Sequence, residues 1–139
     1  EMTSSLVGSE MCIRDRVYEF NFGMGFLREL NKRVSAPVDG LPDVKKNIGL
    51  QYVIAGVIDG DLEDLVEVLD CANRGKNPRV TKQLLDEYID NENTDIELLF
   101  ESVIDFLKSA NATKKTTLSL LEELEKQKKK MEEKEKQKQ

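Results

Sequence analysis

The stretch that decides the fold is YEFNFGMGFLRELNK, residues 18–32. Every second residue at its start is aromatic, namely Tyr18, Phe20 and Phe22. Because successive side chains of a strand point to opposite faces, the three rings are predicted to share one face of a strand over residues 17–22.

Two glycines follow the aromatic residues and allow the chain to change direction after the strand. The apolar residues beyond them recur at helical spacing and predict an amphipathic helix; they are Phe26, Leu27, Leu30 and Val34. Gly23 and Gly25 also match the start of a dinucleotide-binding fingerprint, but Arg28 stands where its third glycine belongs and no βαβ unit is predicted around it. The pair is therefore interpreted as a hinge.

These residues resemble the N-terminal signature of the tail assembly chaperones of long-tailed phages and prophages of Gram-positive bacteria. In that family a strand ending in Tyr-x-Phe-x-Phe-Gly leads into a helix that starts Gly-Phe-x-Arg-Glu-Leu. The matching positions here are Tyr18, Phe20, Phe22, Gly23, Gly25, Phe26, Arg28, Glu29 and Leu30. The likeness continues through TKQLLDEYID from Thr81 and SANATKK from Ser109, and covers about residues 17–115.

The resemblance implies a non-enzymatic chaperone in the host bacterial cytoplasm that is absent from the mature virion. Its expected partner is the tape measure protein, which it would keep soluble while tail tube subunits assemble around it; the tail tube protein and a second copy of the chain are further possible partners. Two other functions stay open: a minor structural tail or connector protein, and a small helical regulator of the antitoxin type.

The residues before this signature look foreign to it. The chain begins with Glu1, and VGSEMCIRDR at residues 7–16 resembles the translated sequencing-adapter sequence found at the ends of many metagenomic genes. Residues 1–16 are therefore predicted to be a non-native leader, the alternative being an ordinary disordered N-terminus. A leader that replaced the first strand of a hairpin would leave the 17–22 strand without a partner.

The charge of the chain is unevenly distributed. The net charge is −6, while residues 125–139 contain seven Lys and four Glu and so carry +3, which leaves −9 on residues 1–124. An acidic body argues against binding to a nucleic acid backbone, which requires clustered Lys and Arg. No apolar run approaches the length of a membrane span, so neither nucleic acid nor membrane is an expected partner.

The reactive residue types offer little chemistry. The chain has no His and two Cys, of which Cys12 lies in the predicted leader and Cys71 has no base to activate it. Cys71 is therefore interpreted as a small packed residue. With no nucleophile-and-base pattern and no metal-ligand spacing, the sequence predicts no enzyme activity, no catalytic, cofactor-binding or metal-binding residues and no cofactor, and it leaves the partner-binding residues unknown.

Two local motifs have a structural explanation that is stronger than the functional one. Asp59-Gly60-Asp61-Leu62-Glu63-Asp64 resembles a calcium loop, but the sixth position should be Gly and the twelfth a bidentate Glu. It is interpreted as a helix junction, with Gly60 after a helix end and Asp61 as an N-cap. Asn111-Ala112-Thr113 fits the glycosylation pattern and is interpreted as a helix boundary.

The remainder of the body is predicted to be helical. Residues 35–42, SAPVDGLP, are predicted to be a loop, with Pro42 in the first turn of the next helix. The apolar stripes of four successive helices are Leu50, Val53, Ile54, Val57 and Ile58; Leu62, Leu65, Val66 and Leu69; Leu84, Leu85, Tyr88 and Ile89; and Ile96, Leu99, Phe100, Val103, Ile104 and Leu107. The acids Glu63, Asp64, Glu67 and Asp70 are predicted to face solvent, and Thr81 to be an N-cap.

The C-terminal tail carries a sparse apolar stripe, Leu118, Leu121, Leu124 and Met131, which Lys128 interrupts. It is interpreted either as a solvated helix or as a helix that binds another helical protein.

The fold class expected is mainly α: about five helices with a short N-terminal strand or hairpin remnant and a charged helical C-terminal tail. Three segments are expected, with a leader at 1–16, a helical domain at 17–113 and a tail at 114–139.

Overall fold

The computed structural model describes residues 10–33, 35–38, 41–47 and 49–137. In this part of the chain there are four strands and six helices. The strands are β1 Glu10–Ile13, β2 Arg16–Glu19, β3 Ser35–Val38 and β4 Leu41–Asn47. The helices are α1 Met24–Arg33, α2 Gly49–Ile58, α3 Leu62–Asn73, α4 Lys82–Asp90, α5 Ile96–Ser109 and α6 Lys114–Gln137. The prediction of a mainly helical fold with an N-terminal hairpin and a helical tail is confirmed.

The prediction that the strand at Tyr18 has no partner is wrong. β1 pairs antiparallel with β2, with Met11 opposite Tyr18. Arg14 and Asp15 close the hairpin with φ of 51° and 63°, which is the left-handed backbone that two-residue hairpin turns require. Met11 is 1% exposed and therefore belongs to the core. Residues 1–9 of the predicted leader lie outside the described residues, and the foreign origin of residues 1–16 stays a prediction.

The aromatic stretch is shorter as a strand than predicted, because β2 ends at Glu19 rather than at residue 22. The alternation of burial continues beyond the strand: Tyr18, Phe20 and Phe22 are 4%, 2% and 6% exposed. Helix α1 begins at Met24 and buries Phe26 and Leu30. Val34, the last residue of the predicted stripe, lies outside the described residues.

The predicted loop over residues 35–42 is instead part of a second hairpin. β3 pairs antiparallel with β4, and Pro37 lies opposite Lys45 with an irregular register after it. Both strands of a two-stranded sheet are edge strands, where a proline without an N–H group is tolerated. Helix α2 accordingly begins at Gly49, and Pro42 lies in β4 rather than in the first turn of the helix.

The predicted helix boundaries further along the chain are confirmed. Gly60 has φ +85° after α2, and the side chain of Asp61 accepts a hydrogen bond from the Asp64 N–H as the N-cap of α3. Thr81 caps α4 by accepting from the Leu84 N–H. The junction at Asp61 is therefore a helix cap with both features that the sequence indicated.

The core is formed by the inward faces of α1–α5 and the first hairpin. Of the residues predicted for α5, Leu99, Val103 and Leu107 are fully buried, and Phe100 and Ile104 are partly buried against the core. Ile96, at the start of the helix, is half-buried. The first turns of α6 pack against α5 and α2. None of the described helices has the length and apolarity needed to cross a membrane.

Candidate functional site

An open cleft lies beside the aromatic stretch. It has a volume of about 690 Å³ and is lined by residues 19–24, Lys76, Phe106 and residues 109–112. The loop after β2 supplies one wall and the end of α5 with the following turn supplies the other. The cleft thus brings together residues 20–24 and 109–112, which belong to two separate segments of the sequence resemblance.

Aromatic contacts hold the two walls together. The rings of Phe22 and Phe106 are stacked with centroids 5.5 Å apart, and Phe22 meets Phe26 edge-on at 5.4 Å. Aromatic pairs of this kind add about 0.5–1.5 kcal/mol beyond the area they bury. The cleft therefore has an aromatic floor.

Met24 is the exposed apolar residue of this region. It is 51% exposed and also lines a second cleft of about 420 Å³ that extends towards Gly75 and Lys76. A flexible thioether side chain between two open clefts can adapt to an apolar partner of irregular shape. We call Met24 and the two clefts the Met24 surface.

The wall of the cleft is fixed to α3 through its backbone. The Asn21 N–H donates to the Ala72 carbonyl at 2.8 Å, and the Gly23 N–H donates to the Asn21 side chain at 2.9 Å. A Cβ at Gly23 would lie 2.9 Å from the same Asn21 oxygen, so any larger residue there would have to displace the Asn21 side chain from this turn. Gly25 lies inside α1 with no atom near its missing Cβ. The hinge interpretation thus holds for the first glycine only.

Asn73 connects this wall to the rest of the body. Its amide nitrogen donates to the Glu19 and Pro78 carbonyls at 2.9 and 3.3 Å. Its amide oxygen accepts from the Val80 N–H at 2.6 Å and from Arg79 at 2.9 Å. Asn73 is 0% exposed, and all of its hydrogen-bonding groups are used within the protein.

The prediction that the acids of α3 face solvent is wrong for Asp70, which is 7% exposed. Its carboxylate pairs with Arg33 at 2.9 Å and with Arg79 at 3.0 Å. Arg33 also pairs with Glu67 at 2.7 Å. We call Arg33, Asp70, Asn73 and Arg79 the polar hub; it joins α1, α3 and the turn before α4.

The ionisable groups around the hub show the effect of this pairing. Burial tends to raise the pKa of Glu67, but hydrogen bonds from Lys82 and Arg33 outweigh burial and lower it. Burial alone would lower the pKa of Arg33, and its hydrogen bonds to Glu67 and Asp70 raise it instead. Asp64 shows the opposite behaviour to Glu67, because burial and the neighbouring acids raise its pKa.

Cys71 agrees with the packed role that the sequence indicated. The side chain is buried, and burial raises the pKa of its thiol to about 11, although Arg33 acts in the other direction. A thiol with a raised pKa is a poor nucleophile at neutral pH. In the described part of the chain, no group of three or more His, Cys, Asp or Glu is placed to hold a metal ion.

The stripe of α6 differs from the one predicted. The core-facing residues of its first turns are Thr113 just before it, Thr117 and Leu120. Leu121 and Leu124 are half-buried, and Leu118 is 49% exposed. Two hydroxyls allow the threonines to be buried: Thr113 donates to the Leu107 carbonyl at 2.7 Å and Thr117 to the Thr113 carbonyl at 2.9 Å. This turn is also where the predicted helix boundary at Asn111–Thr113 is found.

Beyond Leu124 the helix leaves the body. Every residue from 125 to 136 is exposed, including Met131 at 70%. We call residues 125–136 the free arm, which at about 1.5 Å per residue is about 18 Å long.

Sequence reasoning missed three residues of the Met24 surface: Met24 itself, Lys76 and Phe106. Met24 falls within the predicted hinge, Phe106 lies outside the predicted apolar stripe of α5, and Lys76 lies in a predicted turn. The alternation of Tyr18, Phe20 and Phe22 was a signal for one wall, but nothing in the spacing links that wall to α5.

A family model described as "phage tail assembly chaperone protein, TAC" matches residues 10–134. No curated protein and no solved structure matches the chain. The matched range contains the first hairpin, the Met24 surface, the polar hub and most of the free arm.

Proposed function

The chain belongs to the phage tail assembly chaperone family, and from this premise we propose that it binds the tape measure protein, keeps it soluble and assists tail tube assembly around it. It does so in the host cytoplasm without catalysing a reaction, and it does not remain in the mature virion. Its partners are the tape measure protein and, through it, the tail tube protein.

The observation that carries this proposal is the convergence of residues 20–24 and 109–112 on one cleft with an aromatic floor. A helical client with apolar stripes aggregates unless those stripes are covered. An open cleft with an aromatic floor and an exposed methionine can receive such a side-chain stripe. The net charge of −9 on residues 1–124 would keep the resulting complex apart from other copies by repulsion.

The test is co-expression with the tape measure protein of the same phage genome. We expect the tape measure protein to stay in the soluble fraction and to co-purify with the chaperone. Met24→Glu places a charge at the centre of the Met24 surface and should abolish both effects, since an unpaired charge in an apolar contact is costly. Circular dichroism should show an unchanged fold.

The matched control is Leu98→Glu, which makes the same kind of change at another exposed apolar residue, 42% exposed, on α5. It should leave solubility and co-purification as in the wild type. An insoluble tape measure protein beside a folded partner would contradict the proposal. Presence of the chain in purified virions would then favour a structural tail protein, and a gel shift with DNA would favour a regulator.

A further inference from the structure

Lys76 differs from the other half-buried cation of the described chain. Two cations in that part of the chain are half-buried, Arg33 and Lys76. Arg33 pairs with three carboxylates at 3.5, 2.7 and 2.9 Å, whereas Lys76 has no ion pair among the described residues. A cation that is partly removed from water and left unpaired favours any bound molecule that brings a carboxylate to it.

Lys76 lies where the two clefts of the Met24 surface meet. Both clefts are lined by Asn21, Gly23, Met24 and Lys76, so an exposed apolar side chain and an unpaired cation share the same opening. The turn that carries Lys76 is held by its N–H, which donates to the carbonyl of the buried Asn73 at 3.0 Å. The fold therefore fixes the backbone of Lys76 beside the apolar part of the surface.

The other charges around the clefts leave Lys76 uncompensated. The second cleft is lined by one Glu, one Arg and one Lys and so carries +1, although residues 1–124 carry −9. Its acid, Glu29, already pairs with two arginines at 3.5 and 2.9 Å. Glu19 lines the first cleft but is exposed to water and does not pair with Lys76. The first turn of α1 contains no acidic residue, so the positive end of the helix dipole adds to the charge of Lys76.

These charges restrict the kind of helix that can cover the surface. A helix with an apolar stripe alone would bury Lys76 further and leave it unpaired, which is costly. A helix with Asp or Glu three or four residues from an apolar side chain presents both groups on one face, about 5–6 Å apart. Such a helix can cover Met24 and pair with Lys76 at the same time.

We infer that the Met24 surface selects acidic amphipathic segments of its client, with an apolar side chain of the client against Met24 and a neighbouring Asp or Glu of the client paired with Lys76. The inference rests on the proposed function and adds which segments of the tape measure protein are bound. It runs against the net charge of the body, which would by itself favour a basic segment. The preference of the surface for one sign of charge is therefore a direct test of Lys76.

The first test measures the binding of overlapping tape measure peptides to the full chain by fluorescence polarisation. Peptides of about 20 residues cover more than five helical turns each. We expect the peptides that bind best to carry Asp or Glu three or four residues from an apolar stripe. Best binders that carry only Lys or Arg at those places would overturn the inference, and so would a complete set of peptides of which none binds.

Charge reversal at Lys76 makes the test specific. Lys76→Glu should weaken binding of the acidic peptides at least about tenfold and should bind peptides whose acid is replaced by Lys more tightly than the wild type does. Lys76→Arg should bind the acidic peptides like the wild type. The matched control is Lys32→Glu, which makes the same change of net charge at an exposed residue of α1 that lines neither cleft. A control as disruptive as Lys76→Glu would mean that net charge alone governs binding, and would overturn the inference.

A double-mutant cycle shows whether the two charges meet. Replacing the acid of a bound peptide by its amide should weaken binding to the wild type about fivefold and leave binding to Lys76→Gln unchanged, because the pair is already broken in that variant. Equal losses for both proteins would overturn the inference. Circular dichroism of each variant should show an unchanged fold.

The co-expression assay separates this inference from the proposed function. A tape measure protein that co-purifies equally well with the wild type and with Lys76→Glu would overturn the inference and leave the proposed function standing. A tape measure protein that stays insoluble beside the folded wild type would overturn both. Reduced co-purification with Lys76→Glu and normal co-purification with Lys32→Glu is the result expected.

Discussion

The polar hub and the free arm are both built from charged residues and yet are opposite kinds of structure. In the hub, Asp70 is 7% exposed and Asn73 fully buried, and each of their side chains meets two or more partners. In the arm every residue from 125 to 136 is exposed. A charged side chain in this protein is therefore buried where several partners lie within hydrogen-bonding distance, and it is exposed where they do not.

The comparison has a direct meaning for stability and function. Residues of the hub fix the position of α3 against the first hairpin and α1, and their loss should appear as a loss of folding free energy. Residues 125–136 of the arm are all exposed, and the ion pair given for them among the described residues, Lys126 with Glu122, lies within α6, so their loss should leave folding nearly unchanged. The predictions below test this division, beginning with the largest expected effect.

Asn73→Ala should have the largest effect on the hub. It leaves the buried Val80 N–H and the Glu19 carbonyl without their partner, and each unsatisfied buried group costs about 1–3 kcal/mol. We expect a loss of about 3 kcal/mol in the free energy of unfolding, measured by urea denaturation. Asn111→Ala, at an exposed asparagine, is the control and should change it by less than about 0.5 kcal/mol. Equal effects would mean that the hub is not special.

Gly49→Ala should be the next most damaging change to the body. A Cβ at Gly49 would lie 2.2 Å from the Leu30 carbonyl oxygen, which is backbone and cannot rotate away. Overpacking of this kind costs about 1–3 kcal/mol. Gly25→Ala is the matched control, because no atom lies within 4 Å of its Cβ and alanine favours a helix. Thermal unfolding should show a lower Tm for the first and an equal or higher Tm for the second.

The two acids Glu67 and Asp64 should respond to pH in opposite directions. The lowered pKa of Glu67 means that its ionised form stabilises the fold at neutral pH, and that this stability is lost as the pH falls below the ordinary value of 4.5. The raised pKa of Asp64 means that its ionised form destabilises the fold above the ordinary value of 3.8.

Replacing each acid by its uncharged amide measures how much its ionised form contributes to the free energy of unfolding. At pH 7, Glu67→Gln should lower the free energy of unfolding by about 1 kcal/mol and Asp64→Asn should raise it by a smaller amount. Both differences from the wild type should shrink as the pH is lowered through the acid range. Changes of the same sign for both variants at pH 7 would contradict the assignment of their environments.

Removal of residues 125–139 should have the smallest effect on folding. Since residues 125–136 are all exposed, the free energy of unfolding of the dilute protein should change by less than about 0.5 kcal/mol. The helical signal in circular dichroism should fall with the loss of the end of α6. A loss above about 1 kcal/mol at a concentration where the protein is monomeric would show that the arm packs on its own body.

The parts of the fold that sequence predicted correctly depend on local chemistry. Asp61 and Thr81 cap helices because each side-chain oxygen accepts from a free N–H only three residues further on. The whole cap is therefore contained in a short segment of the sequence. Tyr18, Phe20 and Phe22 are buried together because alternation is also local.

The parts that it missed depend on partners far along the chain. Asp70 resembles any solvent-facing acid on a helix, and the guanidinium of Arg33 that buries it lies on another helix. Pro37 reads as a loop residue because its place on an edge strand depends on β4. The walls of the Met24 surface meet through the stacking of Phe22 on Phe106, which no spacing in the sequence encodes.

The buried stripe of α6 sets the rotational phase of everything beyond it. Thr113, Thr117 and Leu120 anchor one side of the helix to the body. Met131 lies eleven residues past Leu120, so it stays within about 20° of the same side. One residue inserted after Leu124 would move the end of the arm by only about 1.5 Å but turn it by about 100°. A change in the length of α6 before Met131 would therefore alter the direction in which Met131 points far more than its distance from the body.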